Sequence, residues 1–217
     1  MEIVKLNSDE TQDEALQTIV HILEEGGLVC LPCNGSYRIF ADLKNRDAVM
    51  RLFQSKRRVH KAPSLVFVDS ISRLHEITDE VDPVASALMK AIWPGPLTIH
   101  FSASKSLPRK VTKELTKANG KLGVRIPESP LAHRVVEMFG GPVLVSSANR
   151  GRRSGESSPA QVRQNFLGRV DYFLDAGDLK DAPSSTVVAV ENSEVTIVRQ
   201  GAVSEEEINE IAASAVN

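Results

Sequence analysis

The segment Pro142-Val-Leu-Val-Ser-Ser-Ala-Asn149 constrains the fold more than any other stretch. Its apolar start reads as a buried strand, and it stops abruptly at Ser146, Ser147 and Asn149, side chains rich in hydrogen-bonding groups. In an open α/β sheet, ligands sit just beyond the carboxyl ends of the strands. A strand that finishes in hydroxyls and an amide is therefore placed to hold a polar ligand. Basic residues elsewhere point to an anion. Lys56, Arg57, Arg58, His60 and Lys61 form one cluster, and Arg150, Arg152 and Arg153 form another, in a chain of 217 residues with a formal charge of −2. A balance this close to neutral argues against a general nucleic-acid binder and leaves local cation clusters to explain.

Hydrophobic periodicity extends the same pattern along the chain. Thr11-Gln-Asp-Glu14 is a capping box opening a helix with Leu16, Ile19, Val20 and Leu23 on one face, closed by Gly26-Gly27. Gly27–Pro32 reads as a strand and Asp47–Lys56 as a helix. Strands follow at Ser64–Val68 and Leu97–Phe101, separated by a helix that Pro83 starts at its first position. Further strands are expected at Leu122–Ile126, Val143–Val145, Val170–Leu174, Thr186–Val190 and Val195–Val198, with helices at Pro130–Phe139 and Pro159–Phe166. Ser204-Glu-Glu-Glu207 caps a terminal helix. No repeat, linker or low-complexity tract interrupts this order. The reading is α/β: one domain over residues 1–217, a twisted mixed sheet with packed helices.

Several classes drop out. The N-terminus carries no signal peptide, and no stretch approaches the ~20 apolar residues that cross a bilayer, so a cytoplasmic protein without membrane attachment is expected. Cys30 and Cys33 form a Cys-x-x-Cys, but Asn34-Gly35-Ser36 after it are turn formers, whereas a reactive first cysteine needs a helix N-terminus. His21, His60, His75, His100 and His133 are scattered without metal spacing, and no metal site is expected. Neither a Gly-x-Ser-x-Gly elbow nor a P-loop is present.

What remains is a set of apolar runs that stop at anion-binding groups. Lys56 and Arg58, two apart, do not share a helical face and fit a helix end entering a loop. Arg125 lies inside an apolar strand and needs a partner or a ligand. Ser184-Ser185-Thr186 precedes one strand, and Arg199-Gln200-Gly201 ends another, its glycine allowing close backbone approach.

In order, Trp93-Pro-Gly-Pro-Leu-Thr98, Val124-Arg-Ile-Pro127, Ser146-Ser-Ala-Asn149, Ser185-Thr-Val187 and Arg199-Gln-Gly201 resemble the YrdC/TsaC family, the threonylcarbamoyl-adenylate synthases, over about Gly26 to Ala202. The resemblance implies a twisted α/β sheet around a positively charged cavity and a nucleotidyltransferase that uses ATP, threonine and bicarbonate, with Mg²⁺. The product would be threonylcarbamoyl-adenylate, with pyrophosphate released. Partner proteins would then pass the threonylcarbamoyl group to adenosine 37 of certain tRNAs, giving t6A. It implies Lys56 and Arg58 as catalytic cations, and ATP binding by Lys56, Arg58, Ser147, Asn149, Ser185 and Arg199. Gly35, Tyr37, Arg125 and Ser147 fall at the positions for threonine and its carboxylate.

The chain also departs from that family's pattern. Lys56-Arg57-Arg58-Val59 keeps both cations and loses a proline, and Ala62 stands where the family has Asn or Lys. Pro32-Cys-Asn-Gly-Ser-Tyr-Arg-Ile39 lacks both family threonines, and Arg38 replaces a small glycine. Arg150-Gly-Arg-Arg153 implies a longer basic loop. The nucleotide half of the site matches and the amino-acid half is altered. The alternative is a divergent paralogue that binds nucleotide or RNA directly with weak or no synthase activity. A third is an enzyme of this fold using another carbamate donor, such as carbamoyl phosphate.

Overall fold

In the computed structural model, which describes residues 1–6, 9–56, 64–116, 120–149 and 157–216, strands form wherever β-branched and aliphatic residues cluster between turn signals. They are β1 (Glu2–Lys5), β2 (Val29–Cys33), β3 (Ser36–Asp42), β4 (Ser64–Phe67), β5 (Leu97–Ser102), β6 (Lys121–Arg125), β7 (Val143–Ser147), β8 (Tyr172–Asp175), β9 (Thr186–Glu191) and β10 (Glu194–Arg199). The helices are α1 (Asp9–Glu24), α2 (Arg46–Lys56), α3 (Pro83–Ile92), α4 (Arg109–Leu115), α5 (Pro130–Phe139), α6 (Pro159–Phe166) and α7 (Glu205–Val216), with a 3₁₀ turn at Ile71–Glu76. All ten strands join one sheet in the order β1-β8-β2-β3-β7-β4-β6-β5-β9-β10. Parallel pairings (β1/β8, β2/β8, β4/β6, β5/β9) mix with antiparallel ones, as the α/β reading expects.

The elements expected from periodicity are present with ends shifted by a residue or two. Three were not anticipated: β1, β3 and α4. The capping box at Thr11 is corrected, because α1 already begins at Asp9 and Thr11 lies within the helix. The second box holds, with the Glu207 backbone N–H donating to Ser204 Oγ at 3.1 Å.

The sheet separates two apolar layers. One face buries Ile39, Ala41, Leu144, Val66, Val124, Ile99 and Val188 beneath residues of α2, α3, α4, α6 and α7. The opposite face buries Leu31, Phe40, Val143, Val145, Phe67 and Tyr172 beneath α1 and α5, and this second cluster ends at β4. Directly paired residues share a face, as do residues two apart in a strand. Register then carries the second face onward. Arg38 pairs with Ser147, Val145 with Leu65, and Phe67 with Arg125. His100 pairs with Gly123, Thr98 with Val187, and Val187 with Arg199 across a bulge. Arg38, Ser147, Arg125, Thr98, His100 and Arg199 therefore project from one surface. Where the apolar cover stops, the face turns polar and cationic.

Candidate functional site

Two groups of side chains build this surface. At its β7 edge, α2 delivers Lys56 over the end of the strand. Lys56 Nζ donates to Ser146 Oγ (2.8 Å), the Ser147 carbonyl (2.5 Å), Ser147 Oγ (3.3 Å) and Asn149 Oδ1 (3.4 Å). Ser147 Oγ in turn donates to Asn149 Oδ1 at 2.6 Å, and Asn149 is buried. α2 can place its last residue there because Ala48, Val49, Leu52 and Phe53 anchor it on the first apolar layer. The result is an ammonium fixed in direction before any ligand arrives.

The second group spans β3, β5, β6, β9 and β10. Arg125 is only 2% exposed, and its guanidinium stacks over the Phe67 ring with 5.1 Å from Cζ to the centroid. Its Nε and that of Arg38 are buried without a hydrogen-bond partner among the described residues. Burial lowers the pKa of Arg125, and the nearby positive charges of Arg38 and Arg199 push in the same direction. Burial also lowers that of Arg199, helped by Arg38. The negative charge of Glu128 acts against this trend on Arg125. Three mutually repelling guanidiniums thus share one face, with Arg125 buried, Arg38 half-buried and Arg199 exposed and bonded to Ser185, a concentration of charge that an anion would relieve.

The start of β5 and β9 completes this side. Trp93 Nε1 donates to the Leu97 carbonyl (2.7 Å) and Thr186 N to the Pro96 carbonyl (2.9 Å), tying the Trp93–Thr98 turn to both strands. Thr98 Oγ1 and Ser185 Oγ lie 3.1 Å apart. Arg199 Nη2 donates to the Ser185 carbonyl (2.7 Å) and Ser185 Oγ (3.2 Å). Gly201 is required beside them, since a Cβ there would fall on the backbone of Ser184 and Ser185. Gly123 keeps the middle of the face open, where a Cβ would stand 2.9 Å from Thr98 Cγ2. His100, on the same face, is buried, which lowers its pKa with help from Lys121.

The two remaining expected residues are placed differently. Tyr37 is fully buried; its hydroxyl donates to the Gly177 carbonyl (2.7 Å) and accepts from Ala176 N (2.9 Å). Burial pushes its pKa up to about 12. Both hydroxyl bonds are engaged by backbone, so Tyr37 braces the hairpin against the turn after β8, whereas a substrate contact was expected of it. Gly35 sits in a two-residue hairpin turn in which Asn34 has φ 45° and Gly35 φ 70°. Positive φ at both positions is the type I′ geometry that Asn-Gly favours. A Cβ on Gly35 would lie 2.6 Å from both the Lys180 carbonyl oxygen and Ala182 N. The turn therefore presents no side chain at this position, and no hydroxyl fits.

Arg58, with Arg57, His60, Lys61 and Ala62, lies outside the described residues, as does the Arg150–Arg153 loop. Cys30 and Cys33 are free and buried in β2, and burial raises both thiol pKa values, away from redox use. Thr98 and Arg38 were not among the expected ligands; alternation beside the buried Tyr37 signals the side of Arg38, whereas Thr98 is placed only by the pairing of β5 with β6 and β9. Ser146 stands opposite Ile39 on the other face and meets Lys56 from there. A separate cleft of about 560 Å³ near the end of β8 includes Arg163, which is engaged by Asp175 at 2.7 Å. No group of three or more His, Cys, Asp and Glu among the described residues could hold a metal. No helix there is long and apolar enough to cross a membrane.

This architecture has known counterparts. A family model covering the Sua5, YciO and YrdC proteins, described as "Telomere recombination", matches residues 21–201. The chain belongs to the Sua5/YciO/YrdC family. It is 29% identical over 189 residues to the threonylcarbamoyl-AMP synthase of Pyrococcus abyssi, covering 87% of this chain and 54% of that protein. The Bacillus subtilis threonylcarbamoyl-AMP synthase is 27% identical over 93% of this chain and 57% of its own length. The chain thus spans little more than half of these Sua5-type relatives. The structure of P. abyssi Sua5 with L-threonine superposes with a TM-score of 0.82 at 26% identity, over 97% of this chain and 60% of that one. Escherichia coli YciO, at 24% identity, shares the fold with a TM-score of 0.82 across its whole length.

Proposed function

We propose that this chain is a threonylcarbamoyl-AMP synthase-type nucleotidyltransferase that activates an N-carboxylated amino acid with ATP. The observation that carries the reading is the preset Lys56–Ser147–Asn149 network, which meets at Ser147 the face that carries Arg38, Arg125 and Arg199. Family membership and the named relatives support it.

In this reading, the amine of threonine forms a C–N bond to the carbon of bicarbonate and water leaves, giving N-carboxy-threonine. A carboxylate oxygen of that carbamate attacks the α-phosphorus of ATP. A new P–O bond forms as the bond to the β-phosphate bridging oxygen breaks, and pyrophosphate leaves with the electron pair. No covalent enzyme intermediate is needed, so catalysis consists of positioning and charge stabilisation. Lys56, Arg58 and Arg199 offset phosphate charge, while Ser147, Asn149 and Ser185 orient the triphosphate or ribose. Arg125 holds the amino-acid carboxylate. Mg²⁺ would accompany ATP as part of the nucleotide substrate and would offset charge on its phosphates. Partner proteins would transfer the threonylcarbamoyl group onward to tRNA in the cytoplasm.

The test is an assay with threonine, bicarbonate, ATP and Mg²⁺. Pyrophosphate release that requires both threonine and bicarbonate is expected. Its absence at stoichiometric enzyme, or release independent of any amino acid, would remove the proposal.

A further inference from the structure

Building on the functional reading above, we propose that His100 is the base that takes the proton from the substrate's amine as the carbamate forms. Strand register puts its imidazole in the middle of the polar face. His100 pairs with Gly123 of β6 on one side and with Ala189 of β9 on the other. Paired residues share a face, so the ring stands between a glycine and an alanine. A Cβ at position 123 would fall 2.9 Å from Thr98 Cγ2 and 3.5 Å from His100 Cδ2, closing the gap between them. Thr98 precedes His100 by two residues and Arg125 follows Gly123 by two, which keeps all of them on this side. The imidazole therefore lies in a hollow beside groups already assigned to nucleotide and carboxylate.

The protein leaves that ring unengaged. His100 is only 5% exposed, and no hydrogen bond among the described residues holds either nitrogen. The buried side-chain nitrogens sealed off without a partner there belong to Arg38 and Arg125, so those of His100 keep contact with the opening. A buried polar group without a protein partner needs another one. By register, the charged groups facing the ring are Lys121 and Arg125 from β6, Glu191 from β9, and Glu194 and Arg199 from β10. Burial, then Lys121, lowers the pKa of His100, so at neutral pH the imidazole is uncharged and offers a free acceptor. Its neighbours cannot take that role. Lys56, Arg38, Arg125 and Arg199 are donors only. Glu191 is held by Lys121, and Glu128 is exposed.

The step balances without any further reagent. The ammonium of threonine gives one proton to a ring nitrogen of His100, and the freed lone pair attacks the bicarbonate carbon. A C–N bond forms as the C–OH bond breaks, and the departing hydroxide takes the second amine proton and leaves as water. N-carboxy-threonine remains, and the imidazolium returns its proton to solvent. Negative charge on the triphosphate and the new carbamate favours the imidazolium while it lasts.

The experiment measures threonine-dependent pyrophosphate release by the native chain, His100→Gln and His100→Val, after thermal melts confirm that each is folded. Bicarbonate is kept limiting so that carboxylation governs the rate, and pH is varied between about 6 and 9. Glutamine keeps hydrogen bonding and cannot take the proton. At neutral pH, kcat/KM for bicarbonate should fall about 100-fold or more in both variants, while the MgATP Kd stays within about threefold. The deficit should shrink as pH rises and threonine supplies its own free amine. The native rate should drop as pH falls through the lowered pKa of His100. Native-like kcat/KM in His100→Gln overturns the inference, as does a deficit equal at every pH, which marks a structural role. So does a MgATP Kd weakened more than tenfold, which assigns His100 to the nucleotide. An active native chain with an unimpaired glutamine variant strikes His100 alone. A native chain that releases no pyrophosphate strikes the functional reading and takes the base with it.

Discussion

The β7 edge of the polar face and its β3–β6 flank handle positive charge in opposite ways. At the β7 edge, Lys56 is surrounded by the oxygens of Ser146, Ser147 and Asn149, and the ammonium is aimed in advance. On the flank, Arg38 and Arg125 keep buried Nε atoms without partners among the described residues, and the guanidiniums repel one another. A satisfied network adds rigidity and needs little reorganisation when a ligand binds. An unsatisfied one stores a penalty that a matching anion relieves. The first design suits a phosphate common to every turnover, and the second suits selection among substrates.

The sharpest way to break the contrast is Lys56→Ala. Removing a charge-assisted donor should lower ATP affinity on the order of 10- to 100-fold, read by calorimetry, with little change in amino-acid binding. Equal loss for both ligands would merge the two regions into one. Next in size is Gly35→Thr, which must adopt positive φ and displace the 180–182 backbone. A cost of about 2–4 kcal/mol in chemical denaturation is expected, with no gain in pyrophosphate release.

Tyr37→Phe tests whether the hairpin is braced from behind. Losing the bonds to Gly177 and Ala176 should cost about 1–3 kcal/mol of stability. It also has a pH signature. The folded-state pKa of Tyr37 is raised to about 12 from a usual value near 10.0, so its contribution is complete below pH 10 and is lost as pH rises towards 12. Melting temperatures of wild type and Tyr37→Phe should therefore converge across that window; parallel curves would contradict the assignment. The smallest effect belongs to Ser147→Ala. Lys56 keeps the Ser146 hydroxyl and the Ser147 carbonyl, so ATP affinity should fall only about fivefold.

Much of this could be read from residue patterns, and the gaps have physical causes. β7 was legible because its apolar run ends sharply, and α5 and α6 because proline marks their starts. β3 was missed although Asn34-Gly35 is a strong hairpin signal. Its Tyr37, Ile39, Phe40 and Ala41 are buried on both faces, so no alternation betrays a strand. β1 is a four-residue edge strand, mostly exposed, held by pairing with distant β8. In the site, the cations at helix and strand ends were visible because charge next to an apolar run stands out. Tyr37 looked like a ligand because a sequence shows that a hydroxyl exists and not what holds it. The convergence of Arg38 with Arg125 depends on register across four strands, which no local pattern encodes.

The central claim is that one face of the sheet receives a triphosphate at the β7 edge. Titrating MgATP into the native chain and into Lys56→Ala by calorimetry tests it most directly. The account predicts saturable one-to-one binding to the native chain that weakens by at least tenfold in the variant. No binding to the native chain, or equal binding by both proteins, would contradict it.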